Sequence, residues 1–166
     1  MRPGSPSLSA LTSRQAVASA LVLATVVIHY EAMRLISEAL PRVRIKPRLR
    51  ILVVIIGVFI AHTCEVWVFG LTYWIMSGPL AMGAVSGYTT GRFFDFIYFS
   101  VVVYTSLGFG DIQPIAHVRL IAGVEALVGL LMIGWSASFT YLMMEKLWDE
   151  HRETRASRAR ARKDER

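Results

Sequence analysis

The groups able to do chemistry in this chain lie inside stretches that are otherwise apolar. His62 and Glu65 stand three residues apart, on one helical face, in the run Ile51 to Ser77, and Glu125 stands in the run Ala116 to Leu147. Ionisable groups in such surroundings either brace neighbouring elements through hydrogen bonds or take part in proton-linked control. Between those runs the chain reads YTSLGFGDIQP, Tyr104 to Pro114. Gly108 and Gly110 tolerate positive φ and close backbone approach, so this stretch can turn its carbonyls in one unusual direction. Carbonyls held that way at membrane depth bind dehydrated cations. Cys64, the one cysteine, has no intrachain partner and reads as a small packed hydrophobe.

Such groups need elements to position them. The 166 residues are 54% hydrophobic with mean hydropathy +0.48, too apolar for an ordinary soluble domain and enough for three or four membrane spans. The net charge of +6 does not point to nucleic acid, because the basic residues sit in blocks that flank apolar runs. Residues 1–14, rich in Pro, Ser and Gly, are expected to be disordered. An extra N-terminal helix is expected over 15–40, its last third carrying His29, Glu31, Arg34 and Glu38 towards an interface where Arg34 can snorkel. Its apolar core, Ala16 to Ile28, is short enough for a signal sequence, but no A-x-A-like cleavage site follows and helical periodicity continues to the stop at Pro41, so a crossing helix is preferred to a surface helix or a cleaved signal.

A basic loop at 41–50, PRVRIKPRLR, follows. Its arginines alternate between prolines instead of recurring every third residue on an apolar helix, which rejects a voltage sensor. The outer helix spans 51–77, with Tyr73 and Trp74 suited to an interfacial aromatic belt, and a small-residue linker leads to Arg92. RFFDFIYFSVVVY, 92–104, is too short to cross and fits a re-entrant half-helix. Thr89 or Thr90 could cap its start, and Asp95 complements its dipole. The inner helix is expected over 116–147, followed by a basic tail at 148–166 that is either a solvated helix or disordered. The 41–50 loop and the tail from Lys146 onward hold thirteen of the eighteen Lys and Arg, which puts both in the cytoplasm and the N-terminus outside.

At this point the sequence resembles the potassium channel pore family. The family signature T-x-V-G-Y-G-D is matched by Thr105, Ser106, Leu107, Gly108, Phe109, Gly110 and Asp111, and the resemblance runs from about Arg50 to Leu147. Together with the extra N-terminal helix, it implies an all-α integral membrane protein in which three transmembrane helices, a re-entrant pore helix and a selectivity filter at 105–111 assemble as a homotetramer around K⁺. Ser106, Leu107, Gly108 and Phe109 would offer K⁺ sites, with Thr105 contributing a further carbonyl. Ser106 replaces the usual threonine, Leu107 a valine and Phe109 a tyrosine. Where some members carry an acidic partner for the filter aspartate, this chain has Val102, so Asp111 is left to another partner or to solvent.

On the inner helix the resemblance implies a cavity and gate at Gly129, Leu130, Ile133, Ala137 and Tyr141, with Gly134 as a second flexible point. Close helix packing explains both glycines equally well. Glu65 and Glu125 lie roughly 13 to 17 Å from the outer ends of their helices, a depth similar to that of the filter, so His62, Glu65 and Glu125 are expected to support it or link it to pH. The expected function is passive K⁺ conduction at the plasma membrane, a bacterial inner membrane, in contact with lipid. No cofactor, catalysis, nucleic acid or soluble ligand is implied. A weakly selective cation channel and a non-conducting accessory subunit are the alternatives. Gly108 to Asp111 also spells the G-x-G-D of intramembrane aspartyl proteases, but Asp95 is the one candidate for the required second aspartate and lacks the tyrosine those enzymes show before it.

Overall fold

The computed structural model describes residues 8–42, 47–80, 83–87 and 89–164. Its elements in chain order are α1 (Leu8–Ala39), a 3-10 turn (Leu40–Arg42), α2 (Pro47–Ser77), β1 (Gly83–Gly87), α3 (Phe93–Tyr104), β2 (Ile112–Ala116) and α4 (Val118–Asp164). Three of the helices, over Gln15–Arg42, Leu49–Ser77 and Val118–Asp149, are long and apolar enough to cross a membrane; α3 is apolar but shorter.

Local chemistry sets the boundaries. Pro3, Gly4 and Pro6 all precede Leu8, so the helix begins as soon as the breakers end, earlier than the disordered stretch expected to Arg14; residues 1–7 lie outside the described residues. Pro41 disfavours helical backbone at Leu40, and α1 tightens into the 3-10 turn. Pro47 opens α2 from the first helical position, where its missing N–H is no loss, so the helix takes in the last residues of the basic stretch expected to be a loop; 43–46 are not among the described residues. Gly78 and Pro79 end it. The tail of α4 continues as helix to Asp164.

The linker after α2 contains a strand. β1 pairs antiparallel with β2 in the register Gly83 to Ala116 and Gly87 to Ile112, which moves the start of α4 to Val118. Gly87, at φ 122°, brings its backbone so close to Asp111 that an added Cβ would lie 2.1 Å from the Asp111 carbonyl oxygen. The two strands therefore clamp the segment that follows the glycine stretch.

Helix α3 packs into the angle between α2 and α4, with Phe96, Phe99, Val102 and Tyr104 buried. At the α2–α3 crossing Gly70 lies under Ile97, whose Cδ1 is 2.5 Å from where a Cβ would stand. One core cluster joins Ala18 and Leu21 of α1 to Phe69, Tyr73, Phe96, Phe99, Ile112 and Ile121. A second ties Ile36 and Leu40 to Val54 and Leu147. Helix α1 is thus part of the packed unit at both ends. Tyr73, expected in an interfacial belt, is fully buried, whereas Trp74 beside it is exposed; the reason is a buried carboxylate on α4, described next.

Candidate functional site

The glycine stretch begins where α3 ends. The Ser106 N–H donates to the Val103 carbonyl (2.9 Å) and the Leu107 N–H to the Val102 carbonyl (3.0 Å), the paired bonds of a Schellman motif. That motif needs a left-handed residue, usually glycine, and here it is Ser106 at φ 56°. Gly108 (φ 57°) and Gly110 (φ 81°) repeat the left-handed hand, so every second residue from 106 to 110 has positive φ. Residues 105–111 are all exposed, including the large side chains of Leu107 and Phe109. A Cβ at Gly108 or Gly110 would meet nothing within 4 Å, so backbone conformation and not space calls for glycine there.

Two acidic groups bind α3, one at its start and one at its middle. Asp95 Oδ2 accepts from the backbone N–H of Thr90 (2.7 Å) and of Arg92 (3.2 Å), and from the hydroxyls of Thr89 (3.0 Å) and Thr90 (2.8 Å). The Thr90 hydroxyl foremost, with Thr89 and the two amides, holds the Asp95 carboxyl below its ordinary range. The threonines thus act through Asp95, and the residue preceding the helix is Arg92. Asp111 accepts a hydrogen bond from Tyr98 at 2.8 Å, a partner thirteen residues back and on the exposed side of α3. The bond holds the Tyr98 phenol above its ordinary range. Val102 is buried instead.

Behind α3 stand two separate polar groups. Glu125, fully buried on α4, accepts from Tyr73 of α2 and lies 2.5 Å from Ser100 Oγ, which also meets the Val66 carbonyl at 2.9 Å. Ser100 has one hydrogen. If that hydrogen goes to Val66, the 2.5 Å contact takes its hydrogen from the Glu125 carboxyl, and all three contacts are satisfied. Glu65 is also fully buried and binds His29 Nδ1 of α1 (2.8 Å), approaches His62 Nδ1 (3.3 Å), and accepts from Tyr104, the last residue of α3. His62 Nδ1 lies 2.8 Å from the Tyr104 hydroxyl, and Ser136 Oγ of α4 lies 3.0 Å from Nε2 of both histidines. His62 and Glu65 therefore meet, whereas Glu125 belongs to the other group.

Gly129 is buried, and a Cβ there would lie 2.2 Å from the Tyr104 carbonyl oxygen, so α4 touches the residue that leads into the glycine stretch. Close packing is the role the geometry supports for it. Leu130, Ile133, Ala137 and Tyr141 are exposed, as is Gly134, whose added Cβ would meet nothing within 4 Å.

His29, Tyr73, Ser100 and Ser136 went unmarked as site residues in the sequence. The company of Glu31, Arg34 and Glu38 points His29 to an interface; in the structure those three form exposed ion pairs, with Arg34 2.6 Å from Glu31 and 3.4 Å from Glu38, on the side of α1 opposite His29. The available signal was a polar side chain within an apolar helical run, which Ser100, Ser136 and His29 all share.

A comparison with known families matches residues 49–146 to the ion channel family. The match covers more than half of the chain, and the chain belongs to that family. It is a membrane transport protein, mostly helical, with three helices able to span. Neither the curated proteins nor the solved structures contain a significant match to it.

Proposed function

We propose that four copies of this chain form a potassium-selective pore that conducts K⁺ passively, with Thr105 to Asp111 as the selectivity filter. The observation that carries this reading is the recurrence of positive φ at Ser106, Gly108 and Gly110 in an exposed segment fixed to the end of a half-helix packed between α2 and α4. Backbone that alternates in hand lines up successive amides on one side and successive carbonyls on the other. The Leu107, Gly108 and Phe109 carbonyls, with Ser106 at the inner end, then replace the hydration shell of K⁺. The exposed faces of Leu107 and Phe109, with Leu127 and Leu131 on α4, offer apolar surface for neighbouring copies.

Three features of the chain would serve conduction. The C-terminal end of α3 directs the negative end of its dipole to the cavity below the filter, lowering the cost of a cation there. Glu125, Glu65 and His62 brace that half-helix through Ser100 and Tyr104, so the loop is held from behind. Tyr98 and β1 hold Asp111 at the outer mouth, the function left open by Phe109, which has no hydroxyl to tether the filter. Leu130, Ile133, Ala137 and Tyr141 line the cavity and inner gate on the exposed face of α4. The basic residues of 41–50 and the tail put those segments in the cytoplasm of a plasma membrane, with α1 crossing from outside.

Purified protein in liposomes tests this by comparing efflux driven by K⁺ with efflux driven by Na⁺. K⁺-dependent flux that Gly108→Ala abolishes is expected, since alanine at φ 57° is strained by about 1 to 2 kcal/mol. Equal K⁺ and Na⁺ flux would leave a weakly selective cation pore, and no flux in any condition would overturn conduction.

A further inference from the structure

We infer that His29, His62 and Glu65 form a binding site for a zinc-class divalent metal ion, placed where helices α1 to α4 meet. One donor atom from each lies within 4.8 Å of the others, two of the three side chains are fully buried and the third is largely so. Two imidazoles and a carboxylate are a donor set that zinc takes, with a fourth position for a hydroxyl or water. Tyr104, whose hydroxyl is 2.8 Å from His62 Nδ1, stands at that fourth position.

Hydrogen counting shows that the cluster is short of one positive charge. Apart from the 3.3 Å approach of His62 to Glu65, five contacts each need a hydrogen: His29 to Glu65, Tyr104 to Glu65, His62 to Tyr104, and Ser136 to each imidazole. With Glu65 ionised, two neutral imidazoles and two hydroxyls supply four. At Glu125 the same shortage is met by a carboxyl hydrogen, because its neighbours are hydroxyls and a carbonyl.

Around Glu65 the neighbours differ in kind. Both Nδ1 atoms converge on its two oxygens, at 2.8 and 3.3 Å, close to the edge of about 3.3 Å that bonds of about 2.05 Å give in a tetrahedron. Both Nε2 atoms converge on one oxygen, Ser136 Oγ, at 3.0 Å each. A metal on the two Nδ1 atoms leaves a hydrogen on each Nε2, and the two lone pairs of Ser136 accept both. Metal-bound histidines characteristically donate their remaining N–H to such a fixed acceptor. His62, at 19%, is the one member not fully enclosed by the chain, and an ion would enter from its side. The ion would join α1 and α2 to the foot of the pore loop through Tyr104.

The test is direct binding, independent of conduction. Tag-free protein stripped with chelator and held in lipid nanodiscs is titrated with Zn²⁺ and, separately, with Co²⁺. One ion per chain is expected, with Co²⁺ giving the intense visible bands of a four-coordinate site and X-ray absorption of the Zn²⁺ form showing two imidazoles. His29→Ala and Glu65→Gln should abolish uptake, Ser136→Ala should weaken it 10- to 100-fold, and His117→Ala should leave it unchanged. Uptake that survives in the His29→Ala/His62→Ala double variant would overturn the assignment. So would a wild-type protein that takes up no ion, which would leave a proton as the missing charge, or a wild-type zinc spectrum without imidazole; neither of these readouts depends on a variant folding.

Discussion

Replacing Gly129 with alanine puts the packing of α4 against the end of α3 to a quantitative trial. The added Cβ would lie 2.2 Å from the Tyr104 carbonyl oxygen, 3.0 Å from its carbonyl carbon and 3.1 Å from its Cγ, where ordinary contact begins at 3.4 Å. Two of these three atoms are backbone, and the Tyr104 side chain is held by Glu65 and His62, so no flexible group can yield. Relief requires α4 and the end of α3 to part by about 1 Å, an overpacking cost of about 1 to 3 kcal/mol. Alanine's better helix propensity offsets about 1 kcal/mol of that. Gly134→Ala gains the same propensity with nothing within 4 Å of the new methyl. The pair should therefore differ by about 2 kcal/mol, or about 4 to 8 °C in the thermal midpoint of the detergent-solubilised protein. Gly129→Ala should also lower flux, because the displaced residue leads directly into the loop. Equal midpoints for the two variants would refute the contact and return Gly129 to the role of a hinge.

Three further outcomes follow from the same geometry. Glu125→Gln should keep fold and flux, since an amide can donate to Ser100 and accept from Tyr73, whereas Glu125→Ala should cost about 3 to 5 kcal/mol in a chemical or thermal melt by leaving a cavity and a buried Tyr73 hydroxyl without its acceptor. Ser106→Gly should raise stability by about 1 kcal/mol by relieving a left-handed serine, and a fall instead would mean that the hydroxyl holds a partner. Asp95→Ala should lower the thermal midpoint at neutral pH. Because the folded carboxyl titrates below its ordinary range, its contribution is complete above that range and is lost as pH falls through the lowered value; the wild-type and variant midpoints should converge in acid. Midpoints that stay apart at every pH would show that Asp95 does not act through its charge.

The apolar spans and the glycine stretch were legible because each is written locally. Runs of apolar residues, their lengths, and prolines such as Pro41 and Pro47 carry their meaning within a few residues. The short helix α3 could be read because the thirteen largely apolar residues from Arg92 to Tyr104 are too few to cross. What escaped depends on partners distant in the chain. Strands β1 and β2 carry no strong alternation, and Gly87 owes its place to Asp111, twenty-four residues on. Tyr73 looked like a belt residue until Glu125, fifty-two residues away, gave its hydroxyl a buried acceptor. His29 sits two positions before Glu31 and five before Arg34, which pair at the surface, yet rotation about α1 turns it inward to Glu65 and Ser136. His62 and Glu65 were marked by their own oddity, but the group they join was not, since its members come from four helices.

The central claim is that the loop from Thr105 to Asp111 selects potassium, and the reversal potential of a planar bilayer containing the purified protein measures that selection directly. With K⁺ on one side and Na⁺ on the other, the account predicts current that reverses close to the potassium equilibrium potential and disappears in Gly108→Ala. A reversal near zero millivolts, or current unchanged by that substitution, would contradict it.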